Sequence, residues 1–260
     1  IMNYFGIRVE QTHEIIKNLY CGSAVIIEDV THSLLSGKVY SCYSDYIVVS
    51  LRKWFAVPTG GWLAKVNGQL SVKPNLSSNH TVEDKIQGMK EKEAYISGKI
   101  MDKEHFLLTN AKFENDLIHV DRMLKLDDTS YEILCGTDVK QVMQQRRKNA
   151  EILLHGLKEF DEEMFILPEF NLKEDTPLFV PILLEEDKRD SLRRYLIDRG
   201  IYCPIHWPEI MGAPICIRQN ELSLVCDQRY SEKDMKAIVG CIKEWVRSNK
   251  AIEEKESLHI

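Results

Sequence analysis

The 260-residue chain is short of several things, and each shortage removes a class of function. Positive charge is not in excess: 34 Lys and Arg stand against 40 Asp and Glu, a net charge of -6 and a pI near 5.8. Electrostatics therefore give no reason for the chain to bind nucleic acid. No apolar run approaches the roughly 20 residues that span a bilayer, so no membrane partner is expected. The chain opens I-M-N-Y-F-G-I-R, without a basic segment or an apolar h-region, and a cytoplasmic location is expected. The seven cysteines, Cys21, Cys42, Cys135, Cys203, Cys216, Cys226 and Cys241, are scattered, odd in number and never spaced C-x-x-C. Free thiols fit that pattern better than a disulfide framework or a zinc site. The sequon matches at Asn75 and Asn79 are then matters of chance. No G-x-G-x-x-G or P-loop occurs anywhere. What the chain does have is 44% hydrophobic residues, enough for a substantial core in one large or two small domains.

Two stretches carry chemistry. Val48 to Gly61 reads V-V-S-L-R-K-W-F-A-V-P-T-G-G: an apolar strand ending at Ser50, a polar turn with Lys53, then Pro58 and the Gly60-Gly61 pair. A lysine at the end of a buried strand is costly to desolvate, and desolvation lowers its pKa toward what an amine needs to attack a carbonyl. The plainer alternative is that Lys53 points into solvent beyond the strand. Upstream, Ser23 to His32 reads S-A-V-I-I-E-D-V-T-H. Ala24 to Ile27 is a short continuous apolar run, the pattern of a parallel strand buried on both faces. Glu28 and Asp29 close it at the carboxyl end, where open parallel sheets bind ligands. An acid there can pair with a heterocyclic nitrogen. His32 follows three residues later, near enough to share the same pocket if the chain turns.

Taken in register, Glu28-Asp29, His32, Ser50, Lys53 and Gly60-Gly61 resemble the pattern of the DegT/StrS-type pyridoxal-phosphate (PLP)-dependent sugar aminotransferases, members of the fold-type I superfamily. The resemblance implies that Asp29 pairs with the pyridine nitrogen and that His32 lies near the ring. It implies further that Ser50 touches the phosphate and that Lys53 forms the internal aldimine. The implied substrates are a nucleotide-linked keto-sugar and an amino acid donor, with glutamate expected, and the implied assembly is a homodimer. A different reaction on the same cofactor, such as dehydration, is a rival that Lys53 argues against.

Between these motifs the chain predicts an amphipathic helix over 9–20, stopped by Gly22, and strands over 23–29, 44–51 and 61–66. A turn at Asn67-Gly68 precedes an expected hairpin return at Leu70 to Val72. Thr81 reads as an N-cap, and helices interrupted at Gly98 run to about Asp121. Asp127 to Ser130 is a loop or cap. Thr137 or Asp138 opens a helix through Arg146-Arg147, a pair able to bind an anion but read as a solvated face. Family members carry an Asn-Tyr-Arg segment in this middle region, whose Asn contacts the phosphate of the partner subunit's cofactor; Asn110 and Asn115 stand in a different setting here, so no residue is assigned to that contact.

The last third predicts a strand at Leu178 to Leu184 carrying Pro181, and a helix from Asp187 to Arg199 stopped by Gly200. Strands follow at Ile201 to Trp207 and Leu222 to Cys226, then a helix from Ser231 to Val246 capped by Ser231 and Asp234. The run from Ser248 on is polar and expected to fray. The segments P-L-F-V-P-I, C-P-I-H-W-P and D-Q-R-Y-S-E-K-D-M resemble the family's small C-terminal domain. His206 and Trp207 are thereby candidate substrate contacts, with core or hinge packing as the alternative. The fold expected is α/β: part of a fold-type I large domain with a mixed, mostly parallel sheet over 1–150, then a small α+β domain over 151–260. Family members carry about a hundred further residues ahead of the position matching Ile1, holding the phosphate-binding turn. A fragment of a longer enzyme, or a truncated non-catalytic scaffold or regulatory partner, are therefore both consistent with the sequence.

Overall fold

The computed structural model describes residues 1–7, 10–20, 22, 24–37, 40–72, 75–77, 82–161, 165, 167–206 and 220–257, the side chains of 10–12 and 251–257 excepted. The chain forms two compact units. The first comprises Ile1, Ile16–Thr31 and Cys42–Thr137; the second comprises Met2–Ile15, His32–Ser41 and Asp138–Ile260. Helix α1, Glu10–Tyr20, ends where the Gly22 amide donates to Leu19 O at 2.9 Å.

The first unit is built on a mixed sheet ordered β1-β2-β3, with β1 Ile27–Asp29, β2 Tyr46–Ser50 and β3 Gly61–Lys65. β1 runs parallel to β2, with Asp29 opposite Val48, and β2 runs antiparallel to β3, with Ser50 opposite Gly61. In β2 the branched residues Ile47 and Val49 face inward while their neighbours are half-buried, as a period of two requires.

β1 is shorter than the Ser23–Asp29 strand expected and is not buried on both faces. Ile26 and Glu28 are buried, whereas Val25 is 67% and Ile27 50% exposed. The apolar run is therefore one-sided. Glu28 turns inward and accepts from Ser44 Oγ at 2.7 Å, which offsets the cost of burying its carboxylate.

After β3 the chain turns at Gly68, whose φ of +90° favours glycine, but Leu70–Val72 does not return as a strand. Helices α2, Val82–Ile96, and α3, Glu104–Ile118, pair through Phe106 and Phe113. Gly98, at φ +72°, ends α2 as the interruption predicted. The cap expected at Thr81 lies outside the described residues. Asp127 caps α4, Asp128–Gly136, accepting from the Ser130 amide at 2.8 Å.

The second unit carries α5 (Val139–Leu157), β4 (Phe179–Leu183), α6 (Glu186–Ile197), β5 (Glu221–Val225) and α7 (Glu232–Ser257). Asp138 caps α5, and Ser231 with Asp234 forms the capping box of α7. β4 and β5 pair antiparallel as a two-stranded sheet, which lets Pro181 sit opposite Ser223 without breaking an inner ladder. Leu153, Leu157, Ile182, Leu192, Leu222 and Ile242 are fully buried at its centre.

Two expectations fail here. Residues 201–206 form no strand; the Ser223 amide donates to Pro204 O at 3.0 Å, and Pro204 has no N–H to extend the pairing. Arg146, read as part of a solvated face, is buried: its Nε donates to Gln228 Oε1 at 2.7 Å and its Nη1 to Leu178 O at 3.1 Å. Arg147 caps the carbonyls of Asp175 and Glu174 at 2.9 and 3.0 Å. The pair is a clamp on the segment before β4.

Candidate active site

The parallel pairing of β1 with β2 puts the carboxyl ends of both strands at the same edge of the first unit's sheet, and three of the expected residues lie there. Asp29 ends β1, Ser50 ends β2, and Lys53 closes the 3-10 turn Leu51–Lys53 that follows. Thr31 ties them together. Its amide donates to Asp29 Oδ1 at 2.9 Å, an Asx turn that fixes one carboxylate oxygen. Its hydroxyl oxygen accepts from the Ser50 amide at 2.9 Å, and its carbonyl accepts from Trp54 Nε1 at 2.5 Å. Trp54 is 1% exposed.

The turn carrying Lys53 is held at both ends. The amides of Trp54 and Phe55 donate to Leu51 O at 3.0 and 3.1 Å, and the Leu51 amide donates to Gly60 O at 3.1 Å. Gly60 has φ +133°, which L side chains rarely adopt. Arg52 reaches away to Glu114 on α3, with Nη1–Oε1 at 2.8 Å and Nη2–Oε2 at 3.3 Å. Lys85 joins the same carboxylate at 3.1 Å, and both cations lie over the Phe113 ring. The Arg52 bond, against the opposing effect of burial and with help from Lys85, holds the Glu114 carboxyl below the ordinary carboxylate range. Lys53 itself is exposed, so the desolvated lysine anticipated from the strand-end argument is not what the fold provides. The turn is hydrogen-bonded at both ends and the lysine it carries is accessible.

His32 and His206 belong to the second unit and meet there, ring centroids 5.6 Å apart at 81°. The Phe5 amide donates to His32 Nδ1 at 3.3 Å, so that nitrogen carries the lone pair. Phe5 and Phe179 flank His206, with centroids at 5.4 and 5.0 Å. The His206 amide donates to Glu221 Oε2 at 2.8 Å, and its Nδ1 lies 2.8 Å from Ser223 Oγ. Ser223 in turn donates to Glu221 Oε1. Because Ser223 spends its one proton on Glu221, its oxygen accepts from His206 Nδ1–H. Trp207 lies outside the described residues.

Thr31, Glu221 and Ser223 were not singled out from the sequence. The signal for the last two was there in E-L-S-L-V, a strand whose alternate positions are polar although Glu221 and Ser223 are fully buried. Thr31 sits inside the quoted motif, between Asp29 and His32.

The donor set at the carboxyl edge suits an aldehyde-bearing heterocycle. An accessible primary amine, an oriented carboxylate and a strand-end hydroxyl that makes no cap bond are the groups PLP asks for. Among the described residues no group of His, Cys, Asp and Glu is arranged to hold a metal ion, and no helix is long and apolar enough to cross a membrane.

No family model matches the chain, and no curated protein does. Solved structures do match in fold. A DegT/DnrJ/EryC1/StrS aminotransferase from Brucella abortus superposes with a TM-score of 0.58 at 15% identity, covering 94% of this chain and 63% of that one. PseC of Helicobacter pylori, an aminotransferase involved in the biosynthesis of pseudoaminic acid, gives 0.58 at 17% identity, with 95% and 66% covered. The PLP-form of a Streptococcus pneumoniae protein assigned as a sugar aminotransferase gives 0.58 at 14% identity, with 95% and 67% covered. The chain thus has the fold of part of a fold-type I aminotransferase and spans 63% of the Brucella protein's length.

Proposed function

We propose that the chain is, or belongs to, a PLP-dependent aminotransferase that moves an amino group from an amino acid, glutamate in our reading, to a nucleotide-linked keto-sugar. The observation that carries this reading is the common edge of β1 and β2, where Asp29, Ser50 and the Lys53 turn are joined through Thr31. The fold shared with sugar aminotransferases supports it. In this reading Lys53 Nζ would hold the cofactor and, once freed by the incoming donor, would serve as the general base that takes the proton from the donor's α-carbon and redelivers it in a 1,3-shift. Bound PLP supplies the electron sink that makes that proton acidic. Asp29 keeps a proton on the pyridine nitrogen, and the Thr31 amide orients the carboxylate for it. The Ser50 hydroxyl binds a phosphate oxygen. His32 is carried over as a cofactor contact and His206 and Trp207 as substrate contacts, each by the family resemblance. The same resemblance carries a homodimer.

The test is the visible absorbance of the purified protein with added PLP, beside Lys53→Ala. A lysine-dependent band that glutamate bleaches, with release of 2-oxoglutarate, supports a working half-reaction. No band would mean that the phosphate-binding part family members carry ahead of this stretch is essential or that the protein has left catalysis, and the non-catalytic scaffold would then be the leading reading.

A further inference from the structure

We propose that Asp127 is a positioning residue for Lys53, acting through Thr59 and Gly60. The inference rests on the role given to Lys53 above. No residue of the turn Leu51–Lys53 is buried, so what the fold sets at the lysine is the backbone of the turn from which its side chain projects. Beyond the turn's own bonds, its tie to the following loop is the Leu51 amide on Gly60 O at 3.1 Å. Gly60 at φ +133° lies close enough to Leu51 that an added Cβ would meet Leu51 Cβ at 3.4 Å. The position of Gly60 is therefore transmitted to Leu51.

Gly60 is in turn fixed by its neighbour. Thr59 is 9% exposed, donates its hydroxyl to Asp127 Oδ2 and its amide to Ser130 Oγ at 3.2 Å. Ser130, fully buried, lies with its hydroxyl 2.6 Å from Asp127 Oδ2 and 3.2 Å from Thr59 O. Asp127 Oδ1 accepts the Ser130 amide. One carboxylate thus caps α4 and latches the loop that braces the lysine turn, 68 residues away in sequence from Thr59. Burial pushes the Asp127 carboxyl up, but the bonds from Ser130 and Thr59 outweigh it and leave the group below its ordinary value, so it is ionised and a strong acceptor wherever the enzyme works.

The experiment compares the wild type with Asp127→Asn, Thr59→Val and, as control, Asp138→Ala, which removes an equivalent helix cap from α5. Thr59→Val keeps the cap and cuts the latch. Two readouts need no cofactor: amide exchange at Leu51, and the line width of the Lys53 signal after 13C reductive methylation. Thr59→Val and Asp127→Asn are expected to lower Leu51 protection about tenfold, the loss of a charge-assisted bond, and to narrow the Lys53 line as the turn loosens. Asp138→Ala is expected to change neither. Unchanged Leu51 protection in Thr59→Val, or an equal loss in Asp138→Ala, would overturn the proposal. A wild type lacking the lysine-dependent band tells against the Lys53 reading instead, and the exchange result stands apart from it.

Discussion

The Ser50 amide donates to Thr31 Oγ1 at 2.9 Å, so a side chain extends the joining of β1 and β2 past the last ladder bond, Val30 N–H on Val48 O at 2.9 Å. Thr31 is buried and its amide also orients Asp29. Thr31→Val keeps the shape and leaves the Ser50 N–H without its acceptor, at an expected cost of about 1–3 kcal/mol. Urea unfolding should show the loss, and Thr31→Ser should recover most of it. A Thr31→Val protein as stable as the wild type would mean this bond does not hold the two strand ends.

Arg146 is the clamp that sequence pattern took for a solvated residue. Its burial pushes the guanidinium's pKa down, opposed by nearby Asp227, yet the group keeps bonds to Gln228 and to the carbonyls of Pro177 and Leu178. Arg146→Ala takes its donors from those carbonyls and from Gln228 and should cost roughly 3 kcal/mol, with Arg146→Lys recovering little because a point charge cannot replace the fork. Thermal unfolding of both variants checks it; a near-neutral Arg146→Ala would contradict the clamp.

Helices α5 and α7 meet where an added Cβ at Gly156 would stand 2.8 Å from Val239 Cγ1. Gly156→Ala should destabilise by about 1–3 kcal/mol through overpacking. Val239→Ala alone leaves a cavity and costs on its own account. The double variant should be more stable than the sum of the single effects, because the added methyl fills the vacated space. Strict additivity in denaturant unfolding would show that the two positions do not touch.

Burial pushes the thiols of Cys203 and Cys226 up to about 11 and about 12, so both remain protonated and unreactive at pH 8. Cys42 and Cys135 are exposed. Brief iodoacetamide treatment of the native protein at pH 8 should modify Cys42 and Cys135 and spare Cys203 and Cys226 until denaturant is added. Peptide mass spectrometry reads this directly, and rapid native labelling of Cys226 would contradict the burial.

Much of the frame was legible in the chain. The aromatic and branched run Tyr46–Val49, the breaks at Gly68 and Gly98, and the caps at Asp138 and Ser231 are local signals, and the structure uses each of them. What was not legible depends on partners distant in sequence. Whether Ala24–Ile27 is covered on one face or two is decided by neighbours that the run does not encode. Arg146 is buried because Gln228 and the carbonyls before β4 receive it. Lys53 and Asp29 were found as a motif, but Thr31, which joins their strands, and Asp127, which latches the loop behind the lysine, are polar residues of common types. Only the fold gives them their roles.

The most direct measurement is borohydride reduction of the protein incubated with PLP, followed by peptide mapping. The account predicts a pyridoxyl group on the Lys53 peptide, absent in Lys53→Ala and reduced in yield when Asp29 is changed to Asn. Label spread over surface lysines, or concentrated on any lysine other than Lys53, would contradict it.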